Sequence, residues 1–221
     1  MEKHIVKVLE TGYVTHNVKR FTVEKPAGYN FIPGQATEVS INRPGLENEL
    51  RPFTFTSLTT DRTLEFTIKI YKGHNGMTEK LAAIEAGDEL ILHEVFGVIS
   101  YQGPGIFIAG GAGITPFIAI LRHLKKTGSL NGITLLFANH TVDDIILKDE
   151  LTSLLGEQYI DILHVPLPGV KKQVIDAELI AACMEPETAF YYICGPDQFT
   201  TDMIGILHGL GVVDNQIVIE R

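Results

Sequence analysis

Up to about Tyr101 the apolar positions fall in short, partly alternating runs rich in Val, Ile, Thr and Phe and broken by Gly and Pro, which predicts antiparallel strands. These runs cover His4–Leu9, Val18–Glu24, Thr37–Ile41, Phe53–Ser57, Leu64–Ile70 and Glu89–His93, enough for a barrel or sandwich. One helix, Met77–Ile84, is entered through Gly73-His74-Asn75-Gly76 and closed by Gly87. After Gly103-Pro104-Gly105 the period changes. Apolar strands at Ile106–Ala109, Ile133–Ala138, Ile160–Val165, Phe190–Cys194 and Gln216–Ile219 alternate with helical patterns at Pro116–Lys126, Leu147–Leu155, Asp176–Met184 and Phe199–Leu210. That alternation is the signature of parallel βαβ units. The expectation is two domains, all-β plus α/β: an antiparallel barrel over residues 1–102 and a doubly wound parallel-sheet domain over 103–221.

With 45% of its 221 residues hydrophobic, the chain can fill two small cores without staples. Only Cys183 and Cys194 are present, too few for an iron-sulfur cluster or a four-thiolate zinc site, so any redox centre must be an organic cofactor. The net charge of -9, with no lysine or arginine run, argues against nucleic acid as a partner. The eight histidines are scattered without metal-ligand spacing. Met1–Leu9 has no unbroken apolar stretch, and no later segment has the length of a membrane span. A soluble cytoplasmic protein is expected.

The strand Ile106–Ala109 runs into Gly110-Gly111-Ala112-Gly113-Ile114-Thr115-Pro116 and then a helix. Three glycines let backbone approach a ligand, Thr115 suits a helix N-cap, Pro116 the first helical position, and the amides behind them an anion such as a pyrophosphate. If the parallel strands run in the order 3-2-1-4-5, the first and fourth are neighbours at the reversal, which sets Cys194-Gly195-Pro196 beside the glycine loop. Cys194 then lies where a nicotinamide ring fits, although a small apolar strand-end residue has the same look.

In the first half, Arg51-Pro52-Phe53-Thr54-Phe55-Thr56-Ser57 combines a guanidinium able to pair with a pyrophosphate, an aromatic able to lie against a planar ring, and hydroxyls at alternate strand positions. Gly76-Met77-Thr78 opens a helix and offers a second phosphate site. Together with the Gly110–Pro116 loop and Cys194-Gly195-Pro196, these segments resemble the ferredoxin reductase superfamily of flavoproteins, which includes ferredoxin and flavodoxin NAD(P) reductases and cytochrome b5 reductase. The resemblance spans nearly the whole chain. It implies FAD in the barrel, with Arg51 and Thr78 on its phosphates and Phe53 and Thr54 at the isoalloxazine. Ser57, Lys69, Gly76 and Met77 complete the expected flavin side; Gly111, Gly113, Thr115, Pro116, Asn139, His140, Cys194, Gly195 and Pro196 form the nucleotide side. Phe53 stands where the family usually has Tyr, so stacking persists without the phenol's hydrogen bond. The chain also ends at Glu220-Arg221 without the aromatic that many members lay over the flavin, so another side chain shields the ring or the nicotinamide has freer access.

Asn139 and His140, at the end of the second parallel strand, occupy the place where a carboxylate favours NAD and an arginine favours NADP. No arginine is present there, and Ala138-Asn139-His140-Thr141 with Asp143, Asp144 and Ile145 looks like the cytochrome b5 reductase branch, which favours NADH over NADPH. Cys194, Thr54 and Glu220 are expected around the point where nicotinamide meets flavin. The expected activity is an NAD(P)H-dependent flavoprotein reductase passing electrons to a ferredoxin, flavodoxin or heme protein. Alternatives are the electron-transfer flavin subunit of a larger dehydrogenase or oxygenase, or a nucleotide-binding module without turnover.

Overall fold

The computed structural model describes residues 3–165, 169, 173–186 and 188–220. Its first half holds six strands: β1 (His4–Tyr13), β2 (Val18–Glu24), β3 (Ala36–Ile41), β4 (Arg51–Thr54), β5 (Thr63–Lys69) and β6 (Glu89–Phe96). They form an antiparallel sheet in the order β4-β3-β6-β1-β2-β5. The two edge strands are brought together where Phe55 bridges to Phe66 and the Thr56 amide donates to the Glu65 carbonyl at 2.8 Å, closing a barrel. Alternate residues point inward, so Val6, Val8, Phe21, Val23, Leu90 and Leu92 fill the interior. Phe31 stacks on Phe55 at 4.2 Å. Each such side chain contributes about 1.5–3 kcal/mol when fully buried.

The strand expected over Phe53–Ser57 runs instead from Arg51 to Thr54. The shift has a topological cause, because residues 55–57 leave β3 to pair across the seam with β5. Helix α1 (Met77–Leu81) is shorter than expected and continues in turns to Ile84. Met77, Leu81 and Ile84 are buried in the barrel core. Lys19 is buried too, and its ammonium donates to the carbonyls of Ala82 and Ile84 at 3.0 and 2.7 Å, serving the acceptors that the short helix leaves open.

The second half alternates β7 (Gly105–Gly110), α2 (Thr115–Thr127), β8 (Ile133–Asn139), α3 (Lys148–Leu155), β9 (Tyr159–Leu163), α4 (Ala177–Ala182), β10 (Phe190–Cys194), α5 (Asp197–Gly209) and β11 (Ile217–Ile219). The parallel sheet has the order β11-β10-β7-β8-β9, which is the expected 3-2-1-4-5. Both faces are covered. Phe107 and Ala109 point to the α2 and α3 side with Phe117, Leu121 and Leu151, whereas Ile106 and Ile108 point to the α5 side with Met203 and Leu207. Between the domains the Tyr192 hydroxyl accepts from the amides of Gln102 and Gly103 and donates to the Gly103 carbonyl, tying the linker to β10.

Candidate nucleotide and flavin site

The parallel sheet reverses between β7 and β10, where Ala109 lies opposite Cys194. Beyond the carboxyl ends of these strands a crevice of about 620 Å³ opens. Gly111, Gly113, Asn139, His140, Cys194, Gly195 and Pro196 line it, together with Lys69 from the barrel. Eight of the residues singled out from sequence therefore meet in one place.

The glycine loop is built differently from the expectation. Residues Gly111–Ile114 form a 3-10 turn that runs directly into α2, so the chain is already helical at Thr115. Thr115 is thus the first helical residue and not the N-cap; its hydroxyl donates backwards to the Ala112 carbonyl at 3.0 Å. The glycines also serve different neighbours. A Cβ on Gly113 would stand 2.1 Å from the Cys194 carbonyl oxygen, and one on Gly110 3.1 Å from the Phe199 ring. Gly111, at φ +53°, meets nothing within 4 Å and faces open space. Gly113 thus lets the β7 and β10 loops touch, Gly110 makes room for Phe199 of α5, and Gly111 is left for a ligand.

At the floor of the crevice Asn139, only 6% exposed, has neither its amide nitrogen nor its oxygen hydrogen-bonded among the described residues. Beside it the His140 and His164 rings stack at 5.4 Å. Asp144 closes this side, held by the Thr141 amide and hydroxyl at 2.9 and 2.7 Å. Burial would raise the Asp144 pKa, but those hydrogen bonds and the charges of Lys69 and His16 leave it below its ordinary value. Burial, with the nearby Glu220 carboxylate, pushes the Cys194 thiol up to about 12. Glu220 follows β11 by one residue, and Ile219 before it pairs with Ile193 before Cys194, so the carboxylate lies near the thiol.

On the barrel the outcome is mixed. Arg51 is exposed and donates to the Leu50 carbonyl at 2.7 Å; Phe53 is half-buried against the core; Thr54 is half-buried at the end of β4. None of the three lines the crevice, and neither does Glu220. The Ser57 hydroxyl accepts from the Glu65 amide at 3.0 Å inside the seam, and the Met77 side chain is 1% exposed in the core, so neither side chain is presented to a ligand. The Thr78 hydroxyl accepts from the Tyr71 amide at 3.4 Å. Helix α1 is a short turn, so an anion at Gly76-Met77-Thr78 would rest on a few amides and not on a long helix dipole. Sequence reading missed Tyr71, His164 and Phe199, which line the crevice, and named Asp144, which lines it too, only within the stretch that resembles the NADH-using branch. Tyr71 directly follows the Lys69-Ile70 end of the strand pattern, a signal that could have found it; His164 belongs with His140 only once the strands are paired.

Two family models match the chain, an FAD-binding domain over residues 3–95 and an oxidoreductase NAD-binding domain over 107–204. The propane 2-monooxygenase reductase component of Rhodococcus jostii is 31% identical, over 91% of this chain and 58% of its own length. NADH-cytochrome b5 reductase 1 of Arabidopsis thaliana is 29% identical, over 93% of this chain and 79% of its own. In fold the chain is similar to a ferredoxin NADP+ reductase from Neisseria gonorrhoeae with bound FAD and NADP, at a TM-score of 0.85, 20% identity, and coverage of 100% and 98%. The chain thus spans about half the length of some of the curated relatives it matches. No helix among the described residues is long and apolar enough to cross a membrane. With a closed antiparallel barrel, a parallel sheet reversing at a glycine loop, and both family models in order along the sequence, the chain belongs to the ferredoxin reductase-like superfamily of FAD- and NAD-binding oxidoreductases.

Proposed function

We propose that this chain takes hydride from NADH onto FAD held against the barrel and passes electrons to a one-electron acceptor such as a ferredoxin, flavodoxin or heme protein. The observation that carries the reading is the crevice, where the glycine loop, the Cys194 loop and Lys69 of the barrel meet over an unpartnered, buried Asn139 amide. Such an amide calls for a polar ligand, because an unsatisfied buried group costs about 1–3 kcal/mol. FAD supplies the hydride and single-electron chemistry; the chain supplies position and electrostatics.

The residues present fit that division. Arg51 carries an exposed guanidinium for a pyrophosphate, Phe53 offers a partly buried aromatic ring, and Thr54 follows it at the strand end. Thr78, Lys69 and the amides at Gly76 and Met77 complete the flavin side. Gly111 leaves open backbone for the nucleotide's phosphates, with Gly113, Thr115 and Pro116 shaping the turn and Gly195 and Pro196 the opposite wall. Cys194 acts as a neutral, space-filling thiol beside the nicotinamide, with Glu220 behind it. Asp144 and the absence of an arginine beside His140 favour ribose hydroxyls over an added phosphate, hence NADH. A second reading, the reductase part of a larger oxygenase, is favoured by the likeness to the propane 2-monooxygenase reductase component, whose sequence extends well beyond the matched region.

Heat release and chromatography of the purified protein's cofactor, followed by stopped-flow reduction with NADH and NADPH, test the proposal. FAD and faster reduction by NADH are expected. Release of FMN alone or of no flavin overturns the cofactor assignment, and an efficiency about tenfold higher with NADPH, near 1.4 kcal/mol, overturns the nucleotide assignment.

A further inference from the structure

Helix α2 carries the glycine loop at its start, and Arg122 lies seven residues after Thr115, about 10 Å further along the helix. There its guanidinium spans the two domains. Nε and Nη2 donate to the two Glu150 carboxylate oxygens at 2.6 and 2.8 Å, within the nucleotide domain. Nη1 donates across the interface to Glu65 Oε1 and to the Thr56 carbonyl, each at 2.7 Å. The Thr56 hydroxyl also donates to Glu65 Oε1, at 2.8 Å, so both barrel acceptors belong to the seam that closes the barrel. The Arg122 side chain is 21% exposed. Burial by itself would lower its pKa, but Glu150 and Glu65 reverse this and hold the guanidinium charged.

Among the described residues the Tyr192 hydroxyl ties β10 only to the linker at Gln102 and Gly103, and the other polar contacts between barrel and nucleotide domain are exposed or long. Lys126 reaches the Thr60 hydroxyl at 2.7 Å from an exposed position, and His16 and Asn17 meet Asp143 and Asp144 at 3.3–3.8 Å. Arg122 alone among these joins a rigid helix to main chain on the flavin side, two residues from Thr54. A planar fork bonded to four acceptors fixes direction as well as distance.

We propose that Arg122 is a positioning residue for hydride transfer, setting the separation between the glycine-loop helix and the Thr54–Thr56 segment. The proposal rests on the hydride-transfer reading above. Its consequence is that loss of Arg122 acts on the approach of two rings and not on the binding of either cofactor, since a misplacement of about 1 Å can cost on the order of a hundredfold in rate.

The test is single-turnover reduction of the FAD-loaded protein by NADH and by NADH deuterated at C4, for Arg122→Met, Arg122→Lys, Glu65→Gln and, as a control, Lys126→Ala. Arg122→Met is expected to keep its flavin and a KM for NADH within about twofold, while hydride transfer slows about tenfold, or 1.4 kcal/mol, and its isotope effect grows steeper with temperature. Arg122→Lys should recover part of the rate, Glu65→Gln should lose about threefold, and Lys126→Ala should match the unmodified protein. Unmodified rates and isotope effects in Arg122→Met overturn the proposal even if thermal stability falls. Should Arg122→Met fail to hold flavin, unmodified rates in both Arg122→Lys and Glu65→Gln overturn it equally. If the unmodified protein is not reduced by either nucleotide, the hydride reading falls and this proposal with it; if it is reduced and the variants match it, the positioning role alone falls.

Discussion

The barrel and the parallel sheet build their halves of the site by opposite means. On the barrel the candidate ligand groups are side chains displayed on one short strand: Arg51 is exposed and Phe53 and Thr54 half-buried, while the neighbouring hydroxyls of Thr56 and Ser57 are consumed by the seam. In the parallel sheet the site is made by leaving side chains out. Gly110, Gly113 and Gly195 allow the β7 and β10 loops and the Phe199 ring to pack with no room for a Cβ. A site of displayed side chains should weaken by degrees when one is cut back, whereas a site of excluded side chains should fail at once when one is added.

The largest effect should come from Gly113→Ala. The new methyl would stand 2.1 Å from the Cys194 carbonyl oxygen and 2.7 Å from the Gly195 nitrogen, both backbone atoms with little freedom to yield. Overpacking of this kind costs about 1–3 kcal/mol in stability and moves the loops that form the crevice wall. Reduction by NADH should fall more than about a hundredfold, or 2.8 kcal/mol, with flavin still bound to the barrel. Gly111→Ala, with open space around its Cβ, should cost only the strain of its left-handed backbone, about 1 kcal/mol. Equal stopped-flow rates for the two variants would erase the distinction drawn between the glycines.

Next in size is Cys194→Ala, expected to slow hydride transfer by one to two orders of magnitude, about 1.4–2.8 kcal/mol, with flavin content unchanged. Because the thiol is pushed up to about 12 from an ordinary 9.0, it stays protonated at neutral pH, so the rate should show no thiol step between pH 6 and 9. The raised pKa also means that the thiol's share of stability is complete below pH 9 and is lost as pH climbs towards 12. Rapid alkylation of the folded protein by iodoacetamide at pH 8 would contradict this. On the barrel side, Arg51→Ala removes one displayed group and should weaken FAD binding about tenfold, measured by fluorescence titration of the apoprotein. A tenfold loss of hydride-transfer rate at full flavin occupancy would instead give Arg51 a part in the ring's alignment.

The two halves were also unequally legible in sequence. In the second domain the alternation of apolar strands and helices pointed to a parallel sheet, and the order 3-2-1-4-5, entertained as a condition and present in the sheet, brings Cys194 to the glycine loop without any knowledge of contacts. What local pattern could not reveal was why each glycine is there, because the partner of Gly113 lies 81 residues away at Cys194. Thr115 misled for a similar reason: the N-cap rule assumes an extended residue before the helix, and the 3-10 turn removes it. In the barrel, period-two patterning found the strands but misplaced β4, since a strand that changes partners at a closure keeps its alternation while it leaves its ladder. Arg122 falls inside the helical pattern Pro116–Lys126 with no local mark that sets it apart, and its acceptors at Thr56 and Glu65 become neighbours only when the domains meet.

The smallest expected effect probes a buried side chain on the nucleotide side of the crevice. Asn139 ends β8 at 6% exposure, with both amide atoms unpartnered among the described residues, and it lines the crevice. Keeping such a group costs the nucleotide-free protein about 1–3 kcal/mol, a cost that a ligand's polar atoms would offset. Asn139→Leu, close in volume, should therefore raise the melting temperature of the nucleotide-free holoenzyme by about 2–4 °C, the shift expected for 1 kcal/mol in a chain of this size. It should also raise the KM for NADH about fivefold, or 1 kcal/mol, with little change in kcat. The opposite signs matter, because a side chain that merely packed would lower stability when replaced and leave KM alone. A lower melting temperature with an unchanged KM would show that Asn139 supports the strand end and takes no part in holding the nucleotide.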